Sequence, residues 1–176
     1  MAIDESRVFK PINIAVLTVS DTRTAEDDTS GDILAERVKA AGHNLAARTI
    51  VRDDATLLAA QFNAWIDDPA IDAVVSTGGT GLTGRDVTPE ALSMIDGARD
   101  IPGFGELFRW LSFKSIGTST VQSRACAVVA RGTYIFALPG SNGAVKDGWD
   151  GILAEQLDSR NRPCNFVELM PRLKEV

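Results

Sequence analysis

Residues 71–86 read Ile71-Asp72-Ala73-Val74-Val75-Ser76-Thr77-Gly78-Gly79-Thr80-Gly81-Leu82-Thr83-Gly84-Arg85-Asp86, and the rest of the chain is read from them. Ile71–Val75 is a short, mostly apolar, β-branched run, the pattern of a strand buried on both faces. Gly79-x-Gly81-x-x-Gly84 then matches the dinucleotide-binding fingerprint letter for letter. That fingerprint has geometric demands: a helix opens within the glycines so that its N-terminus meets a pyrophosphate, and an acidic residue follows about 20 residues on, at the end of the next strand. Here the clearest helix start, Thr88-Pro89-Glu90, lies beyond Gly84, and the stretch about 20 residues on, Gly103-Phe104-Gly105-Glu106, sits inside a helical pattern. The unit is also the third strand, not the first. A nucleotide-binding P-loop fails as well, because no Gly-Lys-Ser/Thr follows. The loop therefore reads as a glycine and hydroxyl cradle for an anion other than a dinucleotide.

Upstream, Ile12–Val19 is largely apolar and β-branched and predicts a strand, followed by Ser20-Asp21-Thr22-Arg23 and an acidic loop. Thr29 or Ser30 caps a helix that runs to about Ala41 and stops at Gly42. Leu45–Val51 is a second strand, and Asp53 or Asp54 caps a helix carrying Leu57, Leu58, Phe62, Trp65 and Ile66. Downstream, Thr88 caps a helix with Pro89 at its first position. Pro102 to about Ser115 is amphipathic through Phe104, Leu107, Phe108 and Leu111, and a short helix follows over Thr118–Arg124. Cys126–Ala130 and Thr133–Leu138 predict a hairpin across Arg131-Gly132. Pro139-Gly140-Ser141-Asn142-Gly143 precedes a long helix to about Leu157, and the polar tail 158–176 has anchors at Phe166 and Leu169. Strands alternating with helices predict an α/β fold, a mainly parallel sheet with helices on both faces. Ligands in such sheets bind at the carboxyl ends of strands. Three strand-ending loops, Ser20-Asp21-Thr22, Ser76–Gly81 and Gly140–Gly143, share hydroxyls, glycines or both. Any one of them reads as a tight turn; along one rim, the three together read as an anion site.

With 176 residues the chain is one domain's worth. Its net charge of -6 argues against a broad nucleic-acid surface, which needs clustered Lys and Arg, but not against a small anionic ligand. No apolar run is long enough to span a bilayer, and MAIDESRVFK carries no apolar signal core, so cytoplasmic residence is the expectation. Cys126 and Cys164, with no zinc spacing, read as buried or half-buried thiols. The single histidine, His43, in a helix-ending turn, reads as a surface residue. One histidine makes serine-hydrolase triads and histidine metal sites poor readings. Chemistry here must run on carboxylates, hydroxyls, backbone N–H groups, Lys, Arg or a bound metal.

Asp86 stands just beyond the glycine loop. A carboxylate beside bound phosphates repels them unless a cation intervenes, and Mg²⁺ held by one or two carboxylates plus phosphate oxygens is the usual one. Asp53, after the second strand, is the candidate for a second carboxylate. Taken alone, Asp86 also fits a turn former and Asp53 a helix cap. Arg23, Arg85, Lys114 and Arg124 are the positive groups expected near the rim; each alone fits a solvated charge, and together they could offset a substrate's charge.

Several linked motifs then stand in one order: Thr77-Gly78-Gly79-Thr80-Gly81 with Arg85-Asp86-Val87-Thr88-Pro89-Glu90, Pro102-Gly103-Phe104-Gly105-Glu106, Thr120-Val121-Gln122-Ser123-Arg124, and Leu138-Pro139-Gly140-Ser141. From about Ile12 to Phe166 the chain resembles the MogA/MoaB family of molybdopterin-binding proteins of molybdenum cofactor biosynthesis. It is more similar to the B branch, through Glu26-Asp27-Asp28-Thr29-Ser30-Gly31, Leu111-Ser112-Phe113, Ile116-Gly117-Thr118-Ser119-Thr120 and Arg162-Pro163-Cys164-Asn165-Phe166. The resemblance implies a three-layer α/β sandwich over 12–166 with tails at 1–11 and 167–176, and self-association to a trimer or a hexamer. It implies binding of molybdopterin, a pterin with a dithiolene and a terminal phosphate. It also implies transfer of AMP from ATP to that phosphate, with Mg²⁺ and release of pyrophosphate; the alternative is a binder or carrier without catalysis. Some B-branch members lack the acidic residue of the signature loop, whereas this chain keeps Arg85-Asp86-Val87-Thr88-Pro89. By resemblance Asp53 and Asp86 are the catalytic aspartates, Asp86 at the metal. Ser20, Thr77, Gly78, Gly79, Thr80, Gly81, Arg85, Ser123, Arg124, Pro139, Gly140, Ser141 and Asn142 occupy ligand-contacting positions.

Overall fold

The computed structural model describes residues 3–173 and 175. Its centre is a six-stranded sheet in the order β2-β1-β3-β6-β5-β4. The strands are β1 (Asn13–Val19), β2 (Asn44–Val51), β3 (Ala73–Thr77), β4 (Arg99–Asp100), β5 (Cys126–Ala130) and β6 (Thr133–Leu138). β2, β1, β3 and β6 run parallel, whereas β5 is antiparallel to both β6 and β4. The mainly parallel α/β expectation holds. The antiparallel step is made by the Arg131-Gly132 turn, where both residues have positive φ (49° and 100°), the geometry that follows the strand twist in a two-residue hairpin. The two-residue β4 is too short to leave a period in the sequence.

Helices cover both faces. α1 (Thr29–Ala40), α4 (Pro102–Ile116) and α5 (Asn142–Gly148) pack on one side; α5 runs on through a π turn (Trp149–Leu153) into α6 (Ala154–Gln156). The core there joins Ile14, Val16, Val75 and Phe136 of the sheet to Leu34, Phe108 and Trp149 of the helices. On the other side α2 (Ala55–Ile66) and α3 (Thr88–Ser93) cover Ala15, Leu17, Val74 and Ile135 with Leu58, Phe62 and Leu92. Alternate residues of each central strand thus feed opposite cores, which is why these strands are apolar without a break. The short α7 (Phe166–Leu169) adds Val167 to the first core.

Because β1, β3 and β6 run parallel, their carboxyl ends reach one edge. Thr18 pairs with Thr77, and Thr77 with Leu138, so the three strand ends stand level. β2 ends beside them, with Val51 paired to Val19.

Several local expectations change. α1 is capped by Asp28, not by Thr29 or Ser30, because the Asp28 carboxylate accepts from Gly31 N–H at 3.0 Å. It is buried, and also accepts from Thr18 Oγ1 (2.7 Å) and Arg48 Nη2 (2.8 Å). The stretch expected to be a helix over 118–124 is a 3₁₀ turn over Gly117–Gln122. His43 is buried, not on the surface: its Nδ1 accepts from Ile12 N–H at 3.3 Å and its ring packs against Phe9. Cys126 is half-buried as expected, but Cys164 is exposed. Leu169 is 43% exposed, and Val167 is the anchor instead. The N-terminal residues lie against the C-terminal part of the chain: Asp4 N–H donates to Arg160 O, and Arg7 pairs with Glu168.

Candidate functional site

The three loops expected along one rim do meet. Gly78 N–H donates to Leu138 O at 2.9 Å, and Thr77 Oγ1 to Pro139 O at 3.2 Å. A Cβ on Gly78 would come 2.3 Å from Val19 O, and one on Gly140 would come 3.3 Å from Gly78 Cα. Gly78 also has φ +105°, so side chains are excluded there by both space and conformation. Arg23 ties the first loop to the third: its Nη2 donates to Gly140 O (3.1 Å) and its Nη1 reaches the Ser30 hydroxyl. Ser20 Oγ accepts from the N–H groups of Thr22 and Arg23, so it shapes its own loop.

Arg124 clamps the signature loop. Its N–H donates to Thr80 O (2.9 Å), its Nε to Gly81 O (2.7 Å), and its guanidinium to Asp86 O and the Glu90 carboxylate. Arg85 is paired with Asp21 and points out from the loop with its side chain 73% exposed. Gly84 has open space around it, so the third glycine of the fingerprint motif has no steric duty.

The loop divides the rim in two. On the α4/α5 side lies a half-open cavity of about 350 Å³. Of the residues expected at the site, Thr80, Gly81, Ser123, Pro139 and Ser141 line it. Phe108, Ser112, Ser115 and Asp147 line it too, and the sequence reading missed them as wall residues. Phe108 reads as core from its helical spacing; nothing in the sequence says that α4 and α5 splay apart above it. Thr80 is buried, and its hydroxyl has no hydrogen-bond partner. An orphaned hydroxyl beside a cavity costs free energy unless a ligand satisfies it.

On the α2/α3 side stand the two aspartates. Asp53 Oδ1 would lie 3.3 Å from a Cβ on Gly79, and Asp86 Oδ2 2.7 Å from a Cβ on Gly81, so both carboxylates flank the loop backbone without lining the cavity. Asp86 Oδ2 accepts from Thr83 N–H (2.9 Å) and Thr83 Oγ1 (2.7 Å). Burial pushes the Asp86 carboxyl up, but the Thr83 hydroxyl, the N–H groups of Gly81 and Thr83, and the Arg124 charge together hold it below the usual range. Asp53 is shifted the other way, by burial first and then by the Asp86 charge. Among the described residues no group of three or more His, Cys, Asp or Glu could hold a metal. Two carboxylates beside a phosphate cradle still suit magnesium, which takes one or two protein carboxylates and completes its shell with substrate oxygens and water.

The other expected residues take supporting places. Gly140 packs on Gly78, and Asn142 Oδ1 accepts from Thr29 Oγ1 at 3.0 Å, fastening α5 to α1. Lys114 is not at the rim; it lies over the Trp110 ring and lines a separate open pocket with Lys146, Asp147 and Asp150. No helix among the described residues is long and apolar enough to cross a membrane.

Residues 15–159 match the family model described as "Probable molybdopterin binding domain". The chain is 50% identical over 171 residues to molybdenum cofactor biosynthesis protein B of Escherichia coli K12, covering 97% of this chain and 98% of that protein. A crystal structure of molybdenum cofactor biosynthesis protein B superposes with a TM-score of 0.85 at 35% identity, over 97% of this chain and all of that one (100%). The tungsten cofactor synthesizing protein MoaB from Pyrococcus furiosus gives 0.74 at 33% identity, over 94% and 99%. With two of its three rim loops lining one cavity and these likenesses running nearly end to end, the chain belongs to the molybdopterin-binding domain family of molybdenum cofactor biosynthesis, among the B proteins.

Proposed function

We propose that this protein binds molybdopterin in the cavity between α4 and α5 and transfers AMP from ATP to its terminal phosphate, releasing pyrophosphate. The observation that carries the reading is the orphaned, buried Thr80 hydroxyl beside a 350 Å³ cavity, at the point where three strand ends converge. The family match supplies the pterin, and the two carboxylates across the loop supply the reason to add a nucleotide.

In this reading the signature loop is the junction of two half-sites. The pterin lies on the α4/α5 side with its phosphate toward Thr80 and Gly81. The ATP phosphates lie on the side of Asp53 and Asp86. A phosphate oxygen of the pterin attacks the α-phosphorus of ATP, and pyrophosphate leaves with its electron pair. Such a reaction asks for alignment and charge neutralisation more than for a strong base, so a chain whose one histidine is buried far from the rim can perform it. Asp86, with Asp53, would hold magnesium, which when bound neutralises charge on the transferring phosphates. Arg124 fixes the loop that aligns the two partners.

The test is to incubate the protein with molybdopterin, ATP and Mg²⁺ and to follow pyrophosphate and the adenylylated pterin. Both products are expected, and Asp86→Ala lowers the rate by roughly 10²-fold or more. An unchanged rate in that variant removes the metal role from Asp86. Because neither aspartate lines the cavity, the pterin half-site can stand alone. Pterin binding with no pyrophosphate identifies a carrier of molybdopterin rather than an adenylyltransferase.

A further inference from the structure

Among the described residues that line the 350 Å³ cavity, Asp147 is the only one with an ionisable side chain. It sits on α5, six residues past Ser141, so it stands about 9 Å along the helix axis from the rim. Its half-buried carboxylate has one hydrogen-bond contact, from Ser115 Oγ at 3.2 Å, whose one proton is shared with Ser112 O at 3.0 Å. Its neighbour Asp150, by contrast, is answered by a two-pronged bond from Arg37 and points elsewhere.

A carboxylate is a poor wall for a phosphorylated guest. It repels negative charge, and it offers only acceptors. Its presence is understandable if the far end of the guest presents hydrogen-bond donors. A pterin does so: the exocyclic 2-amino group and the adjacent ring N3–H form a flat, two-donor edge. That edge matches the two oxygens of a carboxylate as an arginine fork does. Adenine does not, because its amino group is flanked by ring nitrogens with lone pairs, which would face the carboxylate. Between the two ends, Phe108, Ile116, Pro139 and Ala144 provide apolar surface for fused rings.

We infer that Asp147, held by Ser115, is the specificity-determining residue that reads the amino-amide edge of the pterin while the glycine loop holds its phosphate. This rests on the molybdopterin reading above and deepens it. It also puts the adenine of ATP outside this cavity, on the Asp53 and Asp86 side of the loop.

Two fluorescent probes separate the claims: 6-hydroxymethylpterin phosphate, and its lumazine counterpart with oxygen in place of the 2-amino group. Titrated into the whole protein, the pterin binds about tenfold or more tighter than the lumazine. Asp147→Asn, which offers an N–H to the lumazine oxygen, loses or reverses that preference, while ATP affinity is unchanged. Equal binding of both probes by the unaltered protein overturns the inference without any variant, as does a folded Asp147→Asn that keeps the preference. If neither probe nor molybdopterin itself binds, the pterin reading fails, and this inference with it. Binding of molybdopterin and of both probes alike leaves that reading standing and removes only the role of Asp147.

Discussion

Asp53 and Asp86 share one field and answer it differently. Asp86 is stabilised as an anion by three neighbours, Thr83, Gly81 and Arg124, whereas Asp53 is raised by its burial and by Asp86 itself. A carboxyl raised in the folded state binds its proton more tightly folded than unfolded. Its contribution to stability is therefore greatest in acid and is lost as pH climbs through the folded value. At neutral pH Asp53 is a liability to the fold, which makes sense only if its charge serves the site. Asp53→Asn is expected to raise the melting temperature at pH 7 while lowering adenylylation; a variant both less stable and fully active would contradict the assignment. Asp86→Asn removes a like charge and shifts the acidic limb of the pH–rate profile of Asp53 downward. At this scale the sequence was legible where chemistry is local: Asp86 after a glycine loop and Asp53 after a strand are visible as patterns. Asp28 and His43 were not, since their burial comes from Arg48, Phe9 and Ile12, brought near by the fold.

Between strands and helices, the glycine loop works by closeness rather than by its resemblance to a dinucleotide fingerprint. Gly78 has a carbonyl 2.3 Å from any added Cβ, and Gly79, at φ +67°, has the Thr88 hydroxyl at 2.4 Å. Gly84 has nothing within 4 Å. Gly78→Ala is expected to cost about 3 kcal/mol or more in denaturant unfolding and to abolish pterin binding. Gly84→Ala should leave both within experimental error. Equal effects of the two changes would contradict this division of roles between the glycines. The convergence of the three loops was legible, because parallel strands put their carboxyl ends on one side whatever the loops contain. The cavity wall was not: Ser112, Ser115 and Asp147 reach one space only through the packing of α4 against α5, which no single helix's period encodes.

For the molecule as a whole, the layering explains why the cavity and the two aspartates fall on opposite sides of one loop: α4 and α5 cover one face, α2 and α3 the other. α4 has a second consequence. Its outer side exposes Leu107 (41%), Trp110 (59%) and Phe113 (55%), with Ile116 (55%) at the cavity edge and Val121 (79%) on the following turn. Apolar side chains grouped in this way mark an association surface. We propose that it carries the trimer or hexamer implied by the family resemblance. The double change Trp110→Glu, Phe113→Glu is expected to give a monomer in sedimentation velocity, and an unchanged sedimentation coefficient would refute that surface. In the proposed function, substrate and fold meet at one place, where the ends of β1, β3 and β6 stand above the α4/α5 cavity. A crystal structure of the protein grown anaerobically with molybdopterin tests this most directly. The pterin rings are predicted between Phe108 and Ala144 with the phosphate within hydrogen-bond distance of Thr80 and Gly81; density for the pterin anywhere outside that cavity would contradict the account.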